Sequence, residues 1–400
     1  MKLSPAPKTY TRDGHRTVPP SITLERVEPL AESAGVTEIR DITDLDRVGI
    51  PVLSVRRASV EAGAVSVYKG KGASREQARV SAIMETLERY SAEPDHDQVE
   101  RDYIDRKLKE GDAVDPRSLI LPQMSAFHIS HHPLGWVKGF DLLARREVWL
   151  PASAVYHPYS PTRDLFLFRT NTNGLASGNV IEEAVLHGIC EVVERDAWSI
   201  CEYRGRVWGD LEVPEGCDVL CQLMDSFLSR GIEVHLKDLT SDVGIPTVGA
   251  ACDDVETKDP ELLTLGMGTH LNPEMAAIRA LTEVAQSRAT HLYLRSNDME
   301  ESFASRLGYD RMKRVNAKWF SEGTERRSIE DLPYLDSDDI LDDIMFSLDL
   351  ISKAGFQQVV VTDLTREELG VPVARVVIPG MEVYAMDAER AGPRLVHAPL

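Results

Sequence analysis

Three stretches of this chain follow one plan, and that plan restricts the fold more than any other feature. Each begins with a glycine-bearing loop, passes a helix-capping residue and continues as a long helical pattern. Ser74 follows Gly70-Lys71-Gly72-Ala73. Asn179 closes the turn-rich run from Asn171 to Gly178. Asn272 follows Gly266-Met267-Gly268 and precedes Pro273. Ser74 with Gln77, and Asn179 with Glu182, have capping-box spacing. Asn272-Pro273 reads as a cap with proline at the first helical position. The predicted helices run to about Ser91, through the motif that follows Asn179, and to about Leu294.

The helices also share a chemical pattern. The first carries Ser81, Glu85 and Glu88, the second His187, Glu191 and Glu194, and the third Arg279, Glu283 and Gln286. All three sets stand at i, i+4, i+7 and so occupy one helix face. Arg89 and Arg195 directly follow the first two sets, and Arg288 lies two positions after Gln286. Glutamates three apart repel each other, and a cation removes that penalty. Magnesium prefers oxygen ligands and, beside a nucleotide, needs only one or two carboxylates per ion. Guanidinium groups on the same helices suit phosphate oxygens. Exposed glutamate pairs are common on surface helices, but three matched sets behind three matched loops point to one shared site. The chain has neither a GxxxxGK[ST] loop nor the kinase set of motifs.

Composition narrows the partners. With 65 acidic against 45 basic residues, the net charge is −20, which disfavours nucleic acid and an anionic membrane surface. Five cysteines (190, 201, 217, 221 and 252) include no CxxC pair. They read as free thiols in a reducing, cytoplasmic setting. Met1 to Lys8 has no apolar h-region, so no signal peptide is expected, and no apolar run is long enough to span a bilayer. His128, His131 and His132 read as a loop rather than a metal site, because no further ligand stands beside them. His187 is either a base or a packed core histidine. Trp198 and Trp208 read as core.

The expected organisation is an extended N-terminal arm over residues 1–20 and a single domain over 21–400, of mixed α/β class. A short helix is predicted over Leu24 to Leu30. Strands are predicted at Pro51–Arg56, Ala64–Val67, Leu165–Arg169, 232–237, Pro246–Ala251, Leu262–Gly266, Val359–Val361 and Val373–Ile378. Residues 95–165, rich in proline, read as loops and short strands. A helix is expected near 217–230. The acidic run Asp336–Asp343 lacks the glycine turn of a calcium loop and reads as the start of a helix near 338–353.

The run Ser81-Ala82-Ile83-Met84-Glu85-Thr86-Leu87-Glu88-Arg89 resembles the SxxxExxER motif of the YcaO family. Glu191-Val192-Val193-Glu194-Arg195 is similar to its ExxER motif, and Glu283-Val284-Ala285-Gln286 to its third. Gly70-Lys71-Gly72 and the segment from Asn173 to Asn179 also match, and the resemblance runs from about residue 14 to about residue 385. It implies a YcaO-type α/β fold of several sheet-plus-helix subdomains, with ATP bound between them. By motif, Arg16, Thr23, Lys71, Ser81, Asn179, Glu183, Arg195 and Arg279 would bind ATP. Glu85, Glu88, Glu191, Glu194 and Glu283 would hold magnesium.

The same resemblance implies an ATP-dependent, peptide-modifying enzyme that phosphorylates a backbone amide oxygen once a nucleophile has added to the carbonyl carbon. A neighbouring Cys, Ser or Thr side chain would give an azoline, and sulfide a thioamide. Azoline-forming members often end in a PxPxP tail, whereas this sequence ends Arg394-Leu395-Val396-His397-Ala398-Pro399-Leu400. The sequence is most similar to the archaeal, methanogen branch that converts a glycine of the methyl-coenzyme M reductase alpha subunit to thioglycine. A TfuA-like sulfur-delivery partner and a homodimer are expected with it. An azoline-forming cyclodehydratase and a non-catalytic ATP-binding scaffold are the rival readings.

Overall fold

Each long helix lies on its own sheet, and the glycines that precede it explain how. The computed structural model describes all residues except 59, 62, 162, 163, 297–302, 324 and 400. The first long helix, Arg75–Ser91, packs on three antiparallel strands, Val36–Asp41, Val52–Arg57 and Val67–Lys71. The third, Pro273–Arg295, covers a five-stranded sheet in the order Thr264–Thr269, Thr247–Asp253, Glu233–Asp238, Gly209–Glu212, Arg326–Ser328. Only the last pair of that sheet is parallel. A Cβ on Gly70 would fall 2.2 Å from the backbone nitrogen of Ala82, and one on Gly268 2.0 Å from the Ala276 carbonyl oxygen. Strand and helix therefore meet backbone to backbone, and a side chain at either position would push them apart. The glycines read as loop in the sequence are partly strand.

The second long helix, Ile181–Arg204, is the central one. It packs against Leu175–Ser177 and Val373–Val377 of the third sheet. That sheet continues through Val360–Asp363 and Leu134–Asp141 to Glu100–Asp102, with Arg146–Pro151 also paired to Leu134–Asp141. The helix Ile340–Lys353 covers its other side. Ala184, Val185, Ile189 and Val193 are fully buried there among Ile344, Ile351, Val361 and Val376. Burial on most sides explains why this helix reads as nearly continuous apolar sequence broken by acids.

Several local expectations shift. Asn179 does not cap the second helix. Val180 holds that position without a side-chain hydrogen bond, while Asn179 is engaged by Thr23 and Glu183, and Glu182 accepts from the backbone and hydroxyl of Ser4. Leu165–Arg169 is not a strand, and the strand expected at Ala64 starts at Val67. Residues 95–165 hold more order than their prolines suggest: helices Ile104–Glu110 and Gln123–His128, and the long hairpin 134–151. Leu134–Asp141 is buried on both faces, so it lacks the alternation that marks a half-exposed strand. Ser74 and Asn272 do cap their helices, Ser74 accepting from Gln77 N–H and Asn272 from Glu274 and Met275 N–H. Asp339 caps Ile340–Lys353 through Leu341 N–H at 2.8 Å, as the acidic-run reading expects. Among the described residues, no helix is long and apolar enough to cross a membrane.

The N-terminal arm is anchored by charge. Lys8 Nζ lies 2.5 Å from carboxylate oxygens of both Asp336 and Asp343, and its side chain is 1% exposed. Ala6 N–H donates to Asp339 Oδ1 at 2.9 Å. Removing one member of a buried ion network strands the others. Lys8→Met should therefore destabilise the chain by about 3–5 kcal/mol in chemical denaturation. A loss below about 1 kcal/mol, the scale of an exposed pair, would show that the arm is not held this way.

Candidate functional site

The three patterned helix faces meet. Glu85 and Glu88 of the first helix, Glu191 and Glu194 of the second and Glu283 of the third line one cavity of about 430 Å³, within the usual range for ligand sites. Arg16, Thr23, Lys71, Ser81, Asn179, Glu183, Arg195 and Arg279 line it as well. Every residue expected at the site from the sequence is thus brought to one place, by three sheets, three helices and the N-terminal arm.

The carboxylates are balanced by cations on the same faces. Arg89 Nη2 donates to Glu85 at 3.0 Å. Arg195 Nη2 lies 3.5 Å from Glu194 and 3.8 Å from Glu191. Lys71 Nζ donates to Glu283 at 3.2 Å. The balance is incomplete. Burial, with Glu85 and Glu191 nearby, pushes the Glu88 carboxyl up to about 8 against the pull of Arg89. Burial likewise raises Glu191, and takes Glu194 to about 7, with Glu283 adding to the rise in Glu194. At Glu283, burial is outweighed by Lys71 and Arg195, and its carboxyl is held below the usual range. The site thus stores repulsion that a cation would relieve.

Two residues expected to bind nucleotide already have structural work. Glu183 accepts from the backbone and hydroxyl of Thr17, each at 2.7 Å, and from the backbone and amide of Asn179. Thr23 donates to Asn179 Oδ1 at 2.8 Å. Together they clamp the arm over the cavity. Arg16 lies 3.9 Å from Glu183. Ser81 Oγ accepts from Lys71 N–H at 3.3 Å and ties the glycine-bearing strand to the first helix.

His187 accepts from Arg279 Nη2 at Nδ1, 3.0 Å away, and burial together with that guanidinium lowers its pKa well below the ordinary value. It is a neutral orienter of Arg279. His15 and His270 also line the cavity, ring to ring at 4.9 Å. Neither is legible in the sequence, since His270 stands in the loop before Asn272 and His15 in the arm, outside any periodic pattern. Ser177, which donates to Glu88 at 3.1 Å, was also missed. Among the described residues, His128, His131 and His132 form no ligand cluster. Trp198 and Trp208 are half-buried beside the Cys201–Trp319 cluster, away from the cavity lining. Cys190, Cys201 and Cys252 are buried, while Cys217 and Cys221 are half-buried; all five are free.

The donor set fits a magnesium-bound polyphosphate. Five carboxylates supply hard oxygen ligands. The Nε atoms of Arg89, Arg195 and Arg279 are buried without a hydrogen-bond partner, which leaves guanidinium donors for phosphate oxygens. Val18, Val80, Met84, Met275 and Ile278 add apolar wall.

Comparison with known proteins agrees with this geometry. A family model described as YcaO cyclodehydratase, ATP- and Mg2+-binding, matches residues 69–382. An uncharacterized protein of Methanothermobacter thermautotrophicus is 46% identical over 384 residues, covering 95% of this chain and 98% of that protein. An uncharacterized protein in the tfuA 3′ region of Rhizobium leguminosarum bv. trifolii is 31% identical over 382 residues, 92% of this chain and 89% of its own. The structure of YcaO from Methanopyrus kandleri bound with AMPPCP and Mg2+ is similar with a TM-score of 0.81 and 34% identity, covering 98% of this chain and 99% of that one.

The raised carboxyl of Glu88 has a pH signature. Its folded value of about 8 exceeds the ordinary 4.5, so between the two the folded chain keeps a proton that the unfolded chain releases. Stability from this group therefore falls as pH rises through that window. Glu88→Gln should gain melting temperature relative to the parent between about pH 6 and about pH 8, measured without ligand. A difference that stays constant with pH would contradict the assignment.

Proposed function

This chain belongs to the YcaO family, and from that premise we propose that it binds ATP with magnesium in the 430 Å³ cavity and uses it to turn a peptide backbone amide into a thioamide. The observation that carries the reading is the convergence of five carboxylates and three arginines with unused donors from three separate helices. A scaffold that only bound nucleotide would need neither so many carboxylates nor their repulsion.

In this reading Glu85, Glu88, Glu191, Glu194 and Glu283 hold the metal ions, and Arg89, Arg195 and Arg279 bind phosphate oxygens. Lys71, which donates to Glu283, would be available to a phosphate oxygen with a cation on that carboxylate. Magnesium supplies charge neutralisation on the transferring phosphoryl group. An amide oxygen is a poor leaving group, and as phosphate it is a good one. Hydrosulfide adds its sulfur to the carbonyl carbon. The former amide oxygen departs on the phosphoryl group, and the proton brought by sulfur ends on the phosphate. Amide, hydrosulfide and ATP thus become thioamide, ADP and hydrogen phosphate, with atoms and charge in balance. The chain's own groups need only position and stabilise charge.

Two supports favour sulfur as the nucleophile over a side chain of the peptide. One is the similarity to a relative in a tfuA 3′ region, which agrees with a TfuA-like partner. The other is the resemblance to the branch that modifies a glycine of the methyl-coenzyme M reductase alpha subunit, the substrate proposed here. The family model's own description favours the second reading, a cyclodehydratase.

Mass analysis separates them. A glycine-containing substrate peptide is incubated with the chain, ATP, magnesium and sulfide, with and without a TfuA-like protein. The expected product is heavier by the difference between sulfur and oxygen, with ADP and phosphate formed. A peptide lighter by one water would replace this reading with azoline formation. An unchanged peptide under both conditions would leave an ATP-binding scaffold.

A further inference from the structure

Among the described residues, buried lysines and arginines are paired with carboxylates, with two exceptions that share a cavity. Arg57 meets Glu93, Lys107 meets Glu100, Lys237 meets Asp210, and Arg288 meets Asp46 and Asp254. Arg375 and Arg390 are each 5% exposed, yet among the described residues neither forms an ion pair. Their hydrogen-bond partners are neutral carbonyls, Ala154 for Arg375 and Leu119 and Ile120 for Arg390, and Arg390 also lies over the Phe168 ring at 3.9 Å. Arg375 Nη1 has no hydrogen-bond partner, nor has the buried Oδ1 of Asn173. Both residues line a small cavity of about 50 Å³ that contains Arg390 and no acidic side chain.

Two buried guanidinium groups with no carboxylate at ion-pair distance are unfavourable, and Glu191 and Glu88 offset Arg375, and Asp387 offsets Arg390, only from farther away. Burial lowers both guanidinium pKa values to about 10, a measure of the same strain. An anion between them would remove it. The space admits a few water-sized bodies, given that one water needs about 10–15 Å³ by this measure. That excludes a nucleotide or a peptide. Apart from Asn171 and Asn173, the remaining wall is apolar, with Phe168, Val192, Ile378 and Met381 among its side chains, which disfavours a strongly hydrated dianion and suits a small, polarizable, monovalent one.

The cavity also lies directly behind the large one. Asn171 and Asn173 face the small cavity and Thr172 and Leu175 the large. Val192 faces the small cavity and its neighbour Glu191 the large. We propose that Arg375 and Arg390 form a binding site for a small monovalent anion of the halide or hydrosulfide type, one wall away from the carboxylate cluster. Resting on the thioamide reading above, its occupant in the working enzyme is hydrosulfide, held beside the site that consumes it.

The test has two arms. Crystals of the full chain are soaked in bromide and measured at the bromine edge. The expected result is an anomalous peak between Arg375 and Arg390. No peak there, with water on Arg375 Nη1 and Asn173 Oδ1, would overturn the site whatever the reaction proves to be. In the second arm, Arg390→Met should raise the KM for sulfide at least tenfold in thioamide formation, with Mg·AMPPCP affinity unchanged. Bromide should raise the same KM in the parent. Arg375→Lys, which keeps a charge, serves if Arg390→Met does not fold, and its KM for sulfide should rise less. A bromide peak with an unchanged sulfide KM would leave a halide site and remove hydrosulfide from the proposal. A bromide peak in a chain that makes only azolines would remove the thioamide reading and leave the anion site standing.

Discussion

Five glutamate carboxylates share one cavity, and every other part of the fold has to tolerate that crowding. Buried carboxylates resist ionising, and here burial raises Glu88, Glu191 and Glu194, with neighbouring glutamates adding to the rise at Glu88 and Glu194. Arg89, Arg195 and Lys71 moderate it from the same helices and from the adjoining strand. What remains is a surplus of negative charge that a hard cation can satisfy. The structure holds the acids in place by packing: three helices pressed onto three sheets at glycines, and a central helix buried on most of its sides.

That arrangement explains why the chain devotes separate layers to one site. A single helix can present two carboxylates at i, i+3 but cannot surround an ion. Three helices from three sheets can do so, and each helix packs on its own sheet through an apolar cluster. The arm closes the remaining side. Its hold depends on Lys8 at one end and on the Thr17–Glu183–Asn179–Thr23 hydrogen bonds at the other. Glu183 is the hinge of that clamp, so a change there would disturb the arm before it disturbed any ligand.

The site was legible in the sequence because its residues repeat. Glu85, Glu191 and Glu283 stand at matched distances behind matched loops, and helix periodicity carries their neighbours onto the same face. The fold around them was less legible where that periodicity fails. Leu134–Asp141 is buried on both faces and shows no alternation. Val36–Asp41 is an edge strand with mostly exposed side chains. Asn179 has the sequence of a cap, but Glu183 and Thr23 claim its side chain. His15, His270 and Arg375 reach their cavities from segments far apart in the chain. Only tertiary structure brings them there, and no local pattern announces it.

The central claim is that the three helices act together on one magnesium-bound nucleotide. Calorimetric titration of Mg·AMPPCP into the parent chain and into Glu88→Gln, Glu191→Gln and Glu283→Gln tests it most directly. Each substitution, one per helix, is expected to weaken binding by at least the 10–100-fold typical of lost metal-site support, with the fold intact by circular dichroism. Undiminished binding in any two of the three variants would contradict it, because the site would then belong to one helix rather than to all.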